Sequence, residues 1–313
     1  MIAFLFPGQG SQYIGMGADF CAEFAVARQT FEEASDALGV DVAKLCFEGE
    51  ATTLALTANA QPAILTASVA ALRVVLGETE IRPDLVAGHS LGEFTALVAS
   101  GCLGFSDAVR TVRKRGEFMQ EAVPPGVGKM AAVLGLTSEE VSGLCAEVAG
   151  EDSVVSPANF NSPTQTVISG EARAVEAASE LAREKGARRV VPLEVSAPFH
   201  CSLMEPAAAR LKDALGEINF HPVKYPVVTN VGAEANSDSA KVADILVEQV
   251  VSPVRWAESL EFLKDSGVSE FLEIGPSKVL SGLVKRTLKG VRCAGIEKPD
   301  ELHHIKAHEI RTD

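Results

Sequence analysis

Basic residues are scarce in this chain. Lysine and arginine total 28 against 42 aspartates and glutamates over 313 residues, a formal net charge of −14. A nucleic-acid binder needs a positive footprint against phosphate, so that class is excluded as a property of the whole surface, while local basic patches stay open. Long apolar runs are also missing. The stretch from Ala96 to Phe105 is broken by Ser100, Gly101 and Gly104 and falls far short of the roughly 20 residues a helix needs to cross a bilayer, so no membrane span is expected. The first residues, Met1-Ile2-Ala3-Phe4-Leu5-Phe6-Pro7, lack a positive segment and read as a strand, not as a signal peptide. No two of the six cysteines form a Cys-x-x-Cys pair, which argues against a zinc site and a disulfide framework and for reduced thiols in a cytoplasmic protein. No metal-ligand cluster, internal repeat or low-complexity tract is visible.

What the chain does have is core. Apolar residues make up 47% and charged residues 22%, too apolar for disorder and enough for a sizeable interior. The length suggests about two domains. Ile2–Phe6 is a buried strand ending in the turn Pro7-Gly8-Gln9-Gly10. Phe20, Phe24, Ala27, Phe31, Ala34 and Leu38 repeat at steps of three and four, one face of an amphipathic helix closed by Gly39. Asn59–Leu76 is a second helix with Pro62 near its start. Leu85–Ala87 is a strand leading through Gly88-His89-Ser90-Leu91-Gly92 into another helix. This alternation predicts a parallel sheet covered on both faces.

The middle of the chain changes character. Strand (129–136), helix (138–149), two strands (154–158 and 166–169), helix (172–185) and strand (189–195) give the order β-α-β-β-α-β, a split ferredoxin-like pattern. The expected organisation is therefore a large core, 1–127 with 197–313, and an inserted subdomain, 128–196. The core pattern then resumes with helices at 207–215, 241–250, 256–264 and 278–288 and strands at 227–229, 271–274 and 291–296. The polar tail from Lys298, with three histidines, is expected to fray.

Gly88-His89-Ser90-Leu91-Gly92 matches G-x-S-x-G on a strand-to-helix turn. Such a turn is sharp, so the serine needs small neighbours, and its hydroxyl stands exposed at a helix N-terminus. The Leu91 N–H points at a developing oxyanion. The bland alternative is a serine that only caps the helix. As base, His89 is poorly aimed and reads better as a residue packing beside the elbow. His200, where the chain returns to the main sheet, is better placed, although alone it reads equally as a satisfied core histidine. Arg115 lies in the run Arg113-Lys114-Arg115, and such runs usually face solvent.

Four motifs in order bear on these choices: Pro7-Gly8-Gln9-Gly10-Ser11-Gln12, Gly88-His89-Ser90-Leu91-Gly92-Glu93, Arg115-Gly116 followed by Phe118-Met119-Gln120, and Ala197-Pro198-Phe199-His200. With Val247-Glu248-Gln249-Val250 and Gly275-Pro276, the chain over nearly its whole length resembles the malonyl-CoA:acyl carrier protein transacylases of fatty acid and polyketide synthesis. The resemblance implies an α/β-hydrolase-like core with an inserted ferredoxin-like subdomain. It implies Ser90 as nucleophile and His200 as base, the histidine oriented by the backbone carbonyl of Gln249 instead of a carboxylate. It implies an oxyanion hole from the N–H groups of Gln9 and Leu91, a guanidinium, Arg115, for the free carboxylate of malonyl, and Phe199 crowding the carbon between the carbonyls, so that methylmalonyl is disfavoured. Malonyl would pass from malonyl-CoA to Ser90 and then to the phosphopantetheine thiol of acyl carrier protein, with no metal or redox cofactor, in a monomer. Carrier proteins of this kind are acidic, so docking on a chain of net charge −14 needs a local basic patch. Candidates are Arg183, Lys185, Arg188 and Arg189, or Lys285, Arg286 and Lys289. Two rivals stand beside this reading: a serine hydrolase of the order serine, acid, histidine, using Glu273 and a histidine such as His303, and a non-catalytic module that only binds carrier protein.

Overall fold

The computed structural model describes residues 1–151, 153–303 and 305. In chain order the elements are β1 (Ile2–Phe6), α1 (Ala18–Glu23), α2 (Ala25–Leu38), α3 (Val42–Phe47), α4 (Ala51–Ala55), α5 (Thr57–Glu78), β2 (Leu85–Gly88), α6 (Gly92–Ala99), α7 (Phe105–Glu121), β3 (Gly128–Leu134), α8 (Ser138–Val148), β4 (Val155–Ser162), β5 (Gln165–Glu171), α9 (Ala172–Glu184), β6 (Arg189–Pro192), α10 (Glu205–Gly216), β7 (Val227–Val228), β8 (Ala235–Asn236), α11 (Val242–Val251), α12 (Trp256–Asp265), β9 (Glu270–Ile274), α13 (Val279–Thr287) and β10 (Arg292–Ile296). The main sheet has the order β10-β9-β1-β2-β7-β8. Its pairs are parallel except the edge pair β7–β8. Central strand β1 reads as a continuous apolar run because both its faces are covered: Phe4 and Phe6 pack into the cluster with α2, α5 and α7, and Ala3 and Leu5 into the one with α12 and α13.

The second sheet, β4-β5-β3-β6, is antiparallel throughout. With α8 and α9 it completes the β-α-β-β-α-β order around its own core of Val133, Val141, Leu144, Ile168 and Val175. It is stitched to the main body where Phe160 N donates to Val254 O (2.9 Å) and Val254 N to Ala158 O (2.8 Å).

Three local expectations are corrected. The helix read from Phe20 to Leu38 is two helices, broken at Phe24, whose backbone is extended (φ −117°, ψ 125°). Arg28 reaches back to the carbonyl oxygen of Cys21 (2.6 Å), so the break leaves that acceptor satisfied. Second, α5 is long and apolar enough to cross a membrane, with mean hydropathy 1.4, yet 83% of that stretch is buried inside the protein. It is a core helix wrapped by α2 and α7. Pro62 inside it frees the Ala58 carbonyl, which accepts instead from Arg113 Nη1 (3.3 Å). Third, the tail does not fray at Lys298. Residues Pro299–Glu301 form a 3₁₀ turn, the Glu301 carboxylate accepts from the N–H groups of Glu297 and Lys298, and Leu302 and Ile305 are buried. Of the tail histidines, His303 is exposed; His304 and His308 lie outside the described residues.

Candidate active site

Ser90 leaves the carboxyl end of β2 at the mouth of the crevice where β1, β2 and β7 end, the position at which parallel α/β sheets place their ligands. Its backbone is left-handed (φ 51°), a conformation that costs a non-glycine residue about 1–3 kcal/mol and persists only when neighbours enforce it. They do so sterically and by hydrogen bonds. A Cβ on Gly88 would lie 1.9 Å from Gly92 O, and one on Gly92 would lie 2.1 Å from Phe6 O, so α6 approaches the strands only because both positions are glycine. Asn230, just past β7, accepts from Ser90 N (2.6 Å) and donates to Gly88 O (2.7 Å).

His200, also left-handed (φ 59°), comes in from the segment that returns from the second sheet. Its Nε2 lies 2.8 Å from Ser90 Oγ and its Nδ1 2.8 Å from the carbonyl oxygen of Gln249. A carbonyl only accepts, so Nδ1 carries the proton and Nε2 is left to receive the serine's. Burial, reinforced by the Arg115 charge, pushes the His200 pKa down to about 3, against the Gln249 bond. The imidazole is therefore neutral at physiological pH.

Arg115 does not share the fate of its run. Lys114 is exposed and Arg113 pairs with Glu117 (2.6 Å), but Arg115 is 2% exposed. Its Nη2 donates to Ser90 Oγ (3.2 Å) and Gln249 Oε1 (3.0 Å), its Nη1 to Gln61 Oε1 (2.8 Å). Nε has no protein partner. The acceptors in contact are neutral. Burial draws its pKa down to about 10, opposed by the charge of Glu93, so it is still a cation at neutral pH.

Gln9, Ser90, Leu91, Arg115, Phe199 and His200 all line one cavity of about 300 Å³. Among the described residues the backbone N–H of neither Gln9 nor Leu91 has a partner. Gln249 lies beneath the cavity floor, fully buried. His89 packs beside the elbow, its ring 5.4 Å from that of Trp256 and its Nε2 2.8 Å from Asn161 Oδ1 on β4. The alternative acid does not reach the site. Glu273 is buried at the end of β9, accepting from Leu280 N (2.9 Å) and Ser281 N (2.6 Å) at the start of α13.

Sequence reasoning missed Gln61, Glu93 and Asn230. Each carried a faint signal: Gln61 is a polar amide directly before Pro62 in apolar α5, Glu93 a lone acid opening apolar α6, and Asn230 a polar residue just beyond a strand's carboxyl end. Burial raises the Glu93 pKa to about 7, against bonds from Gln249 and Asn230 and the Arg115 charge. Among the described residues no three His, Cys, Asp or Glu side chains are grouped to hold a metal.

The chain matches the acyl transferase domain family over residues 3–306. It is 50% identical over 301 residues to the malonyl CoA-acyl carrier protein transacylase of Bacillus subtilis (strain 168), covering 96% of this chain and 95% of the relative. The Escherichia coli (strain K12) protein of the same name is 47% identical, covering 96% and 97%. Among solved structures, an acyl carrier protein S-malonyltransferase from Vibrio cholerae superposes with a TM-score of 0.95 at 45% identity, covering 97% of this chain and 99% of the other. A malonyl-transacylase in complex with a type II PKS acyl-carrier protein also gives 0.95, at 46% identity and 99% coverage of both. With its elbow serine, buried histidine and full-length match, this chain belongs to the acyl transferase domain family and, within it, to the malonyl CoA-acyl carrier protein transacylases.

Proposed function

We propose that the chain moves a malonyl group from malonyl-CoA to the phosphopantetheine thiol of acyl carrier protein through an ester on Ser90. In the first half, the Ser90 proton passes to His200 Nε2 as Oγ bonds the thioester carbon. The tetrahedral oxyanion sits against the N–H groups of Gln9 and Leu91, and the C–S bond breaks as the coenzyme A thiolate takes the proton from His200. In the second half the carrier's thiol gives its proton to His200 and its sulfur bonds the ester carbon, and the C–Oγ bond breaks as Ser90 Oγ takes that proton back. Arg115 holds the far carboxylate of the three-carbon diacid, and Phe199 crowds its central carbon. Residues 128–196 act as a subdomain closing one side of the cavity through Met130, Asn159 and Leu193. A neighbouring groove of about 600 Å³ shares Met130, Leu193, Glu194 and Val195 with the cavity and gives the pantetheine arm a route. Carrier docking falls to one of the basic clusters, Arg183, Lys185, Arg188 and Arg189 or Lys285, Arg286 and Lys289, all exposed, with Lys185 paired to Glu147 and Arg286 to Gln165. The reading takes the protein as a cytoplasmic monomer that needs no metal or redox cofactor.

One observation carries this reading: Ser90 Oγ lies within hydrogen-bond reach of both a neutral histidine and a buried arginine. A hydrolase of simple esters has no use for the second. The test is intact-mass measurement after incubation with malonyl-CoA. The wild type gains one malonyl on Ser90 and releases it to holo carrier protein; His200→Ala acylates slower by about a thousandfold or more. A wild type that gains no mass, or gains it elsewhere, or a His200→Ala variant that acylates normally, refutes it.

A further inference from the structure

We propose that Glu93 is a positioning residue for substrate choice: it fixes the side-chain amide of Gln249 so that the amide oxygen faces Arg115, and so aims the guanidinium at a diacid. The inference rests on the malonyl reading above. Glu93 does not line the cavity and is 1% exposed. Its Oε2 receives Asn230 N (3.0 Å) and Gln249 Nε2 (2.8 Å). The same Nε2 donates to the carbonyl oxygen of Ser90 (2.9 Å). A carbonyl oxygen cannot donate, and the Glu93 oxygen already accepts from a backbone N–H. The amide nitrogen of Gln249 must therefore point toward Glu93 and Ser90. That leaves Oε1 on the opposite side, where Arg115 Nη2 meets it at 3.0 Å.

The consequence is electrostatic. Arg115 is held between two amide oxygens, those of Gln61 and Gln249. Neutral acceptors orient a guanidinium without neutralising it. A carboxylate in direct contact would form a buried ion pair that an incoming diacid had to break. Here the nearest buried acid stands one side chain back, its charge felt by Arg115 while its Oε2 accepts from Asn230 and Gln249. Were the Gln249 amide free to turn over, its NH₂ would face the guanidinium, donor against donor, and Arg115 would swing away. A monoacid acyl group has no far carboxylate for Arg115 to hold, so that swing costs its transfer only the Arg115 contact with Ser90 Oγ and the charge beside His200, losses that malonyl transfer shares.

The experiment compares single-turnover acylation of Ser90 by malonyl-CoA and by acetyl-CoA. Glu93→Met removes the acceptor at similar volume. Its malonyl-to-acetyl ratio is expected to fall about 10- to 100-fold, the worth of a hydrogen bond to a charged group. Glu93→Gln keeps an oxygen where Oε2 sits and should retain the ratio within about threefold. In an Arg115→Ala background, Glu93→Met should change the ratio no further. Equal losses on both substrates, or a ratio lost as fully in Glu93→Gln as in Glu93→Met, overturns the inference. If Glu93→Met does not fold, Gln249→Met decides, since it removes the amide oxygen but keeps the carbonyl that holds His200: a selective malonyl loss supports the inference and an unchanged ratio sinks it. A wild type that never forms the malonyl ester overturns the malonyl reading instead, so the two failures are told apart.

Discussion

A histidine serves as base only while it is neutral. His200 is kept so by its surroundings: burial and the Arg115 charge outweigh the Gln249 bond and bring its pKa to about 3, from an ordinary 6.5. The folded value is depressed, so the stability this group contributes is present above pH 6.5 and is lost as pH falls toward about 3. Glu93 runs the other way. Its folded value, about 7, lies above the ordinary 4.5, so its contribution is present below 4.5 and is lost as pH rises through 7. For the proposed role of His200 as base this value is decisive. We expect kcat/KM for Ser90 acylation, followed by quenched flow, to fall by no more than about twofold from pH 6.5 to pH 5; a base with the ordinary value would lose more than tenfold over that range. An acid limb centred near pH 6.5 would show that His200 is not held neutral. At this scale the sequence was most informative where a residue had a motif around it. Ser90 was legible from Gly88 and Gly92. Arg115 was harder, because its charged neighbours hid it; the clearer signal was its place on the buried stripe of α7, in line with Ala108, Val112 and Met119. Glu93, Gln61 and Asn230 act through partners 54 to 156 positions away in the chain, and pairing at that separation leaves no local pattern to read.

Elements were legible where their period was clean. The turn after β2 was readable because the strand is short and apolar and two glycines frame the serine, and the structure explains why those glycines are needed. Less was legible where a side chain substitutes for backbone continuity: Arg28 capping the end of α1 and Arg113 covering the carbonyl freed by Pro62 are invisible to periodicity. The apolar length of α5 likewise reflects burial among neighbouring helices and not a lipid phase. The elbow supplies the test at this scale. Gly92→Ala should push α6 off β1, lowering stability by about 1–3 kcal/mol and acylation by tenfold or more, since the Leu91 N–H moves with the helix start. Gly143→Ala is the control: nothing lies within 4 Å of a Cβ there, and in the middle of α8 it should stabilise by about 0.5–1 kcal/mol. Thermal melts and the acylation assay read both. A Gly92→Ala enzyme with wild-type melting and rate would show that the helix has room to shift.

For the whole molecule, alternation of strand and helix announced a parallel sheet, and the β-α-β-β-α-β order announced the second one. Strand order was not legible, because β1 lies between β2 and β9, partners separated from it by about 80 and 270 residues. Charge distribution matters at the same scale. A net charge of −14 repels an acidic carrier as the two surfaces come within about a Debye length, about 8 Å at physiological salt, so productive encounter depends on a local patch. Two patches compete, and their positions differ in one respect. Arg183 lines the groove that shares its wall with the catalytic cavity, and Arg188 and Arg189 follow at the start of β6. Lys285, Arg286 and Lys289 sit at and beyond the end of α13 and line neither the groove nor the cavity. The groove is not purely basic, since Glu176, Glu180 and Glu194 also line it, so attraction must come from the residues at its rim. Reversing Arg188 and Arg189 to Glu should raise KM for carrier protein about tenfold at low salt, with the difference shrinking as salt rises and acylation by malonyl-CoA unchanged. The matching reversal at Lys285 and Lys289 should alter KM by less than about twofold. If the second pair carries the effect, the carrier approaches from α13, and the groove no longer serves as the arm's path; if neither does, docking rests on apolar contact and the long-range repulsion is overcome without a basic patch.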